Sequence, residues 1–514
     1  MSEAGINYYK KGAIVSYITI AVNIIASLLY TPWMLSKIGD SNYGLYTLAT
    51  TLINMFLIDF GFSSAVSRFV AKYKAEEDQE KIDNFLGMLY KLYAIIVGIV
   101  FIVLVVLFFF VDKIYVKLTP EEIEKFKIVY LIAGSYTVLS FPFSSTFNGI
   151  LTSYEKYYQM KLCDLFHKLL TVALIVVALV CGLGLYTLVS VNAFTGAVLL
   201  LWKWLLIKKG TKLKINLRYF DKGMLKEIFS FSMWVTVSAI CSRLIFNITP
   251  SILAITVSSA AITMFNLAST IEGYTYTFAS AVDGMFMPKI ARLVKDDPSC
   301  QNVEPLLNKV GRIQFFVIAL LFLGIAVVGK EFVTLWLGAG YEVVYYCALL
   351  LIAPAPFYLS QQIAKNTVVV KGYVKQQALV NIIKAVVNIG LVAVFSYFWG
   401  VIGAAASICI AYFVRNVGMN VIYQKKVGLN MWKFHFDCYV KTLPGILLCA
   451  VLAVGLNLLL PHYSWITFGV KVLAICICYA ACVWLLSFNK YEKGLIVGTL
   501  KNVFKWIKSR RKER

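Results

Sequence analysis

Charge is scarce in this sequence. Asp, Glu, Lys and Arg make up 15% of its 514 residues and hydrophobic residues 60%, a balance that cannot cover a soluble globular surface and excludes that class. Histidine is scarcer still: His167, His435 and His462 stand far apart along the chain, which leaves no imidazole cluster for a metal or a catalytic group. The eleven cysteines are scattered, nearly all in apolar segments, and Cys476, Cys478 and Cys482 share one helix without a histidine or carboxylate neighbour. They read as small core residues, not as a disulfide framework or a zinc site. Met1 to Lys11 is polar and runs into a segment of full spanning length with no small-residue cleavage site, so a removable signal peptide is not expected.

What is there is a series of long apolar runs. Crossing a hydrocarbon core takes about 20 apolar residues, and about fourteen segments qualify: roughly 12–35, 43–67, 86–111, 128–151, 163–182, 185–207, 228–257, 260–288, 312–329, 343–364, 377–399, 401–423, 441–460 and 466–487. The expected fold is all-α and polytopic. With the N-terminus inside, the inner loops and tails hold 34 Lys plus Arg and the outer loops 6, the other nine lying within segments. That bias puts both termini in the cytoplasm and accounts for the net charge of +23 without a nucleic-acid partner. The outer loops are short, Asp112 to Lys127 being the longest, so no extramembrane domain is expected.

An offset near 217 recurs along the chain, matching Pro32 to Pro250, Lys113 to Lys330, Gly182 to Gly400 and Lys208-Lys209 to Lys425-Lys426, with Lys168 and Lys384 apart by 216. Duplication predicts two pseudo-symmetric six-helix lobes of shared orientation. They are an N-terminal lobe at 1–207 and a C-terminal lobe at 228–424, separated by a basic cytoplasmic linker at 208–227. Two additional transmembrane helices (425–487) and a basic cytoplasmic tail (488–514) follow. The linker mixes seven Lys or Arg with Leu213, Leu217, Phe220 and Leu225, and the tail places Val497, Leu500, Phe504 and Ile507 on one helical face. Both patterns suit the anionic inner leaflet.

Polar groups at membrane depth are where function has to reside. The segments Ile228 to Val257 and Ala260 to Pro288 form a hairpin joined by Ser258 and Ser259. Arg243 lies near the middle of the first, followed at i+4 by Asn247, while Glu272, Tyr276 and Asp283 share a face of the second. A charge there costs roughly 2.5–3.5 kcal/mol on insertion scales unless it meets a partner or a watery cavity. Glu272, on the adjacent helix, is a candidate partner for Arg243. The first segment carries Asn23 and Tyr30 near Pro32, the second Asp59, the eleventh Asn381, Lys384 and Asn388 in a stripe, and the twelfth Arg415. Single Ser, Thr and Asn residues ordinarily bond between helices; the six charges Asp59, Arg243, Glu272, Asp283, Lys384 and Arg415 demand more.

The run Gly39-Asp40-Ser41-Asn42-Tyr43-Gly44-Leu45-Tyr46, continuing through Leu57-Ile58-Asp59-Phe60-Gly61-Phe62-Ser63-Ser64-Ala65-Val66-Ser67-Arg68, resembles the first hairpin of bacterial polysaccharide flippases. Leu335-Trp336-Leu337-Gly338 and Gly400-Val401-Ile402-Gly403-Ala404-Ala405 are similar to that family as well. The likeness covers essentially the whole chain and points to the Wzx-like (O-antigen) branch of the multidrug/oligosaccharidyl-lipid/polysaccharide (MOP) exporter superfamily. It implies a pair of six-helix lobes that alternate between inward- and outward-open forms around a cationic cavity. It also implies residence in the bacterial cytoplasmic membrane, and a polysaccharide polymerase and chain-length proteins as partners.

A lipid-linked oligosaccharide has a hydrophilic diphosphate head and a polyprenyl tail that stays in lipid, so only the head needs a water-filled path. Arg243, with Lys384 and Arg415, suits the phosphates because guanidinium presents a fork of donors to them. Asn23, Tyr30, Asn247 and Asn388 suit the sugars. Asp59, Glu272 and Asp283 are either ion-pair partners or carboxylates that couple proton or sodium entry to resetting; no other cofactor and no metal is called for. Two alternatives differ in what they require. A drug exporter on the same fold wants unpaired carboxylates, and segment 12–35 has none. A membrane-embedded polymerase or glycosyltransferase wants a sizeable outer loop or a carboxylate pair, and the outer loops are short. The chain is therefore expected to be a transporter and not an enzyme.

Overall fold

The computed structural model describes residues 3–211, 213–280, 286–494 and 497–498, and among them the secondary structure is helical throughout. The first half of the chain forms α1 (Glu3–Ile38), α2 (Asp40–Phe56), α3 (Phe62–Ala75), α4 (Gln79–Ile114), α5 (Pro120–Ser153), α6 (Tyr157–Val180), α7 (Leu185–Gly210), α8 (Lys222–Phe246), α9 (Ile248–Thr256) and α10 (Ser259–Ser280). Then come α11 (Met287–Asp296), α12 (Glu304–Leu337), α13 (Glu342–Ile352), α14 (Ala355–Leu359), α15 (Gln362–Val370), α16 (Val374–Ile422), α17 (Met431–His435), α18 (Leu443–Leu459) and α19 (Trp465–Leu486). Eleven described helical stretches are long and apolar enough to cross a membrane. Leu29, Leu459 and Ile466 are 75%, 79% and 81% exposed, surfaces that only a hydrocarbon solvent covers without penalty.

Four of the fourteen expected segments look different from their sequence description. Segment 43–67 is two helices, α2 and α3, separated by an unwound stretch in which Phe60 and Gly61 have φ of 48° and 71°. Segments 377–399 and 401–423 run together as α16, interrupted at Gly400 with φ 57° and ψ −134°, a conformation open to glycine and strained for other residues. Segment 260–288 is α10 as far as Ser280; Asp283 lies outside the described residues, as does most of the expected tail helix.

Helix starts follow local chemistry. Thr119 and Glu122 form a capping box at α5, with Pro120 in its first turn, and Ser464 with Thr467 do the same at α19. Each satisfies backbone N–H groups that the helix itself leaves unbonded. Asp78 caps α4 by accepting from the Lys81 N–H at 2.9 Å.

Two compact units emerge, one comprising Met1–Leu267 with Val374–Ala411 and the other Ala268–Tyr373 with Tyr412–Arg514. In the first, α5 packs against α2, α3, α4 and α7, and α1 lies along α6. Met34, Ile38, Ile175, Leu179 and Leu188 form a core between α1, α6 and α7. The basic linker after α7 is pinned to the start of α4: Asn216 Nδ2 donates to Asn84 Oδ1 at 2.6 Å, and Lys91 Nζ to the Tyr219 carbonyl at 3.1 Å. Its Ile215, Leu217 and Phe220 are exposed.

In the second unit α12 is the axis, contacting α13, α14, α15, α18 and α19. Two buried ion pairs bind it to the C-terminal helices. Near its start, Arg312 Nε meets Glu492 Oε1 at 2.5 Å, while its other nitrogens donate to the Ser487 carbonyl at 2.8 Å and to the Asp437 carbonyl. Towards its end, Glu331 Oε2 meets Lys471 Nζ of α19 at 2.5 Å, and Lys471 also donates to Asn457 Oδ1 of α18 at 2.9 Å. Such pairs survive burial because the remaining donors and lone pairs find partners.

Candidate functional site

The break between α2 and α3 is built from backbone groups that a continuous helix would have bonded. The last carbonyls of α2 lack an intrahelical N–H donor, and they form the negative end of its dipole. Arg243 of α8 answers this: its Nη1 donates to the Asn54 carbonyl at 2.7 Å. On the other side of the break, Asp59 Oδ2 accepts from the Ser63 N–H at 3.1 Å, in the first turn of α3, and Oδ1 accepts from the Tyr93 hydroxyl at 2.7 Å. A cation thus sits at the C-terminus of one half-helix and an anion at the N-terminus of the other, each with the sign the dipole favours.

Arg243 is therefore bonded to a backbone carbonyl in the first unit, while Glu272, the partner considered from sequence, belongs to the second. Cys241, two residues before Arg243, lies in the electrostatic field of Lys384 on the first half of α16. Lys384 is 3% exposed, and Asn381 and Asn388, one turn to either side of it, are 4% and 0% exposed. Neither the oxygen nor the nitrogen of the Asn388 amide has a hydrogen-bond partner. An unbonded buried amide is expensive, about 1–3 kcal/mol by mutational measures, and its presence beside a cation calls for an explanation.

The second unit holds a separate polar cluster. Glu272 and Tyr276 are one turn apart on α10, and Tyr412 of α16 lies within Coulombic reach of Glu272, Arg415 and Tyr276. Tyr358, at the end of the short α14 that follows Pro354, feels the same groups and packs its ring 5.2 Å from that of Tyr412. Tyr358 and Tyr412 thus stand within electrostatic range of both a carboxyl group and a guanidinium. Gln361, also buried, is held by the Tyr439 hydroxyl at 3.3 Å.

The other expected residues are dispersed. Asn23 is half-buried on α1, and Tyr30 packs beside the α1–α6 core with its hydroxyl unbonded. Asn247 is the C-cap of α8, its N–H donating to the Arg243 carbonyl at 2.9 Å. Sequence reasoning passed over three buried cations: Arg312, Lys471 and Lys203, the last bonded to Asp164 Oδ1 at 2.7 Å and to Asn148 Oδ1 at 2.9 Å. Each lies within a predicted segment, which was the available signal. No grouping of three or more metal-ligating side chains occurs among the described residues.

The chain is all-α and polytopic with charges held at membrane depth, and its fold is like that of solved flippase and multidrug-transporter structures. The lipid II flippase MurJ in an inward closed conformation is similar with a TM-score of 0.71 at 17% identity, over 94% of this chain and 99% of that one. An inward-facing multidrug resistance MATE family transporter is similar with a TM-score of 0.62 at 15% identity, over 81% and 98%. A MOP superfamily transporter from Pyrococcus furiosus gives 0.56 at 16%, over 82% and 95%. The chain belongs to the polysaccharide biosynthesis protein family, whose family model matches residues 9–293. No curated protein matches it by sequence.

Proposed function

We propose that this protein flips a polyprenyl-diphosphate-linked oligosaccharide, a polysaccharide repeat unit, from the cytoplasmic to the outer leaflet by alternating access. It does so in a bacterial cytoplasmic membrane, with both termini cytoplasmic and fourteen crossings arranged as lobes 1–207 and 228–424 plus two C-terminal helices. The observation that carries this reading is the Asn388 amide, buried with nothing bonded to it, one turn from Lys384 on α16. Sugar hydroxyls suit that amide, and membership of the polysaccharide biosynthesis protein family supports a saccharide-bearing substrate. Arg243 and Arg415 add charge for the diphosphate, and Asn23, Tyr30 and Asn247 add hydrogen-bonding capacity for the sugars. Moving about two negative charges outward is favoured by ~2.3 kcal/mol per charge per 100 mV of inside-negative potential.

Asn388→Leu is the decisive variant. Removing an unbonded buried amide leaves the fold as stable or more stable, whereas removing a ligand group slows transport. In liposomes carrying a fluorescent polyprenyl-diphosphate glycan, Asn388→Leu should flip at least tenfold more slowly than the native protein while unfolding at the same or higher temperature. A native flipping rate in this variant overturns the reading.

Glu272 favours a coupling role as well, since a carboxylate among tyrosines offers oxygen ligands to a proton or a sodium ion. Glu272→Gln should then remove the response of flipping to an imposed proton or sodium gradient, with potential-driven flipping retained. Asp59, bonded as a helix cap, serves the fold of α3. The exposed Ile215, Leu217 and Phe220 among the linker's basic residues suit contact with anionic lipid.

A further inference from the structure

A cavity of about 320 Å³ opens in the second unit where α12, α13 and α18 end or begin, lined by Lys330, Glu331, Tyr345, Tyr346, Asn457 and Tyr463. None of these residues was singled out by the sequence as functional, and none belongs to the groups discussed above except Glu331 and Asn457, through their bonds to Lys471. We propose that this cavity is a saccharide-binding pocket, taking a mono- or disaccharide unit of a neutral glycan.

The buried polar groups of the lining are already bonded. Glu331 is 2% exposed and bonded to Lys471, which donates onward to Asn457 Oδ1; Asn457 Nδ2 donates to the Val327 carbonyl at 3.2 Å. The Tyr345 hydroxyl donates to the Ala326 carbonyl at 2.8 Å. Buried polar groups that are all satisfied hold their shape without a ligand, which is the pre-organisation a weak binding site needs.

Charge in the pocket is balanced. Lys330 pairs with Glu342 at 3.2 Å and Lys471 with Glu331 at 2.5 Å, so neither an anion nor a cation finds a net field. A cation is further disfavoured at Tyr463, because the Lys471 ammonium already lies 5.7 Å from the centre of that ring. What the pocket offers instead is aromatic faces with hydroxyl tips: Tyr346 and Tyr463 are 43% and 47% exposed, and the Tyr345 and Tyr346 rings stand 5.0 Å apart at 60°. Sugars present the complement of that surface, an apolar C–H face and a rim of hydroxyls. The volume is at the low end of the roughly 300–1,000 Å³ typical of small-molecule sites, which suits one or two rings and not a long chain.

This site is at the end of α12 remote from Arg312, on the face where the sequence places few Lys and Arg. It rests on the proposed function in one respect, that the sugars there come from a glycan delivered to the outer leaflet. The test is separable from that reading because it uses free sugars. Chitobiose and maltose are titrated against the full-length protein in nanodiscs and followed by saturation-transfer NMR. Native protein should bind at least one of them; the double variant Tyr346→Ala with Tyr463→Ala should bind at least tenfold more weakly, and Tyr463→Phe should keep part of the affinity. Absence of binding by native protein to both sugars, or equal binding by the double variant, overturns the proposal even if flipping is observed.

Discussion

Arg243 stands out in the sequence because of where it lies, near the middle of an apolar segment, and its depth alone demands a partner. The partner found is the Asn54 carbonyl, a backbone atom that every residue type supplies, so no reading of side chains could have named it. The bond makes a direct prediction. A cation at a helix C-terminus contributes about 0.3–1 kcal/mol, up to ~2 when partly buried, so Arg243→Gln should lower the thermal unfolding midpoint modestly and, if the guanidinium also serves the diphosphate, reduce flipping by more than tenfold. Arg243→Lys should retain part of both, keeping charge without the bidentate fork. Neutralising Glu272 in addition should rescue neither, because Arg243 is satisfied within its own unit. Full flipping by Arg243→Gln in the liposome assay would remove it from the substrate path. Lys471 is a contrasting case. Its partner Glu331 lies 140 residues away, beyond any helical spacing, and truncating one member of a buried pair costs about 3–5 kcal/mol whereas replacing both with apolar residues is often neutral. Lys471→Ala should therefore unfold at a much lower temperature than native, and Glu331→Met with Lys471→Met should recover most of the loss.

Among elements, the two interruptions are the informative ones. Apolar periodicity runs unbroken through 43–67 and so reads as a single crossing; the unwinding is encoded by three residues, Asp59, Phe60 and Gly61, a cap and a glycine that tolerates φ of 71°. Hydropathy averages over such a signal, which is why the all-helical, polytopic character was legible and the break was not. Gly400 was legible as a boundary between two segments, and the structure gives the reason in its φ and ψ. Its counterpart at the sequence offset, Gly182, also has a positive φ, 78°. Strain of this kind costs on the order of 1–3 kcal/mol, so Gly400→Ala should lower the unfolding temperature and the yield of inserted protein, measured by size-exclusion in detergent. A native-like profile would mean that α16 can straighten through this point.

At the scale of the whole molecule, composition was enough for class, because it is a sum over many residues and insensitive to any one contact; the distribution of Lys and Arg predicts an orientation in the same way. Which helices carry the polar clusters was partly legible, since Lys384, Asn388, Glu272 and Arg415 each break an apolar run; which of them share a unit was not, since that depends on long-range packing. Orientation is directly testable: cysteine labels at Ser258 or His462 should react from outside the cell, and labels at Asn216 or Asn302 only after permeabilisation. Reaction of Asn302 from outside would overturn the topology.

The two ion pairs on α12 have a consequence for the lipid around the protein. Arg312 and Glu331 are nineteen residues apart on one helix, about 28 Å at ~1.5 Å per residue, close to the ~30 Å of a bilayer's hydrocarbon core. The strongest polar contacts of the second unit therefore mark out a fixed hydrophobic thickness, and a bilayer that departs from it must either bring an ion pair into its acyl chains or bare apolar side chains to water. Thermal stability in a series of phosphatidylcholines of rising chain length should pass through a maximum near that thickness, and the maximum should flatten in the Glu331→Met, Lys471→Met variant, where one of the two marks has been erased.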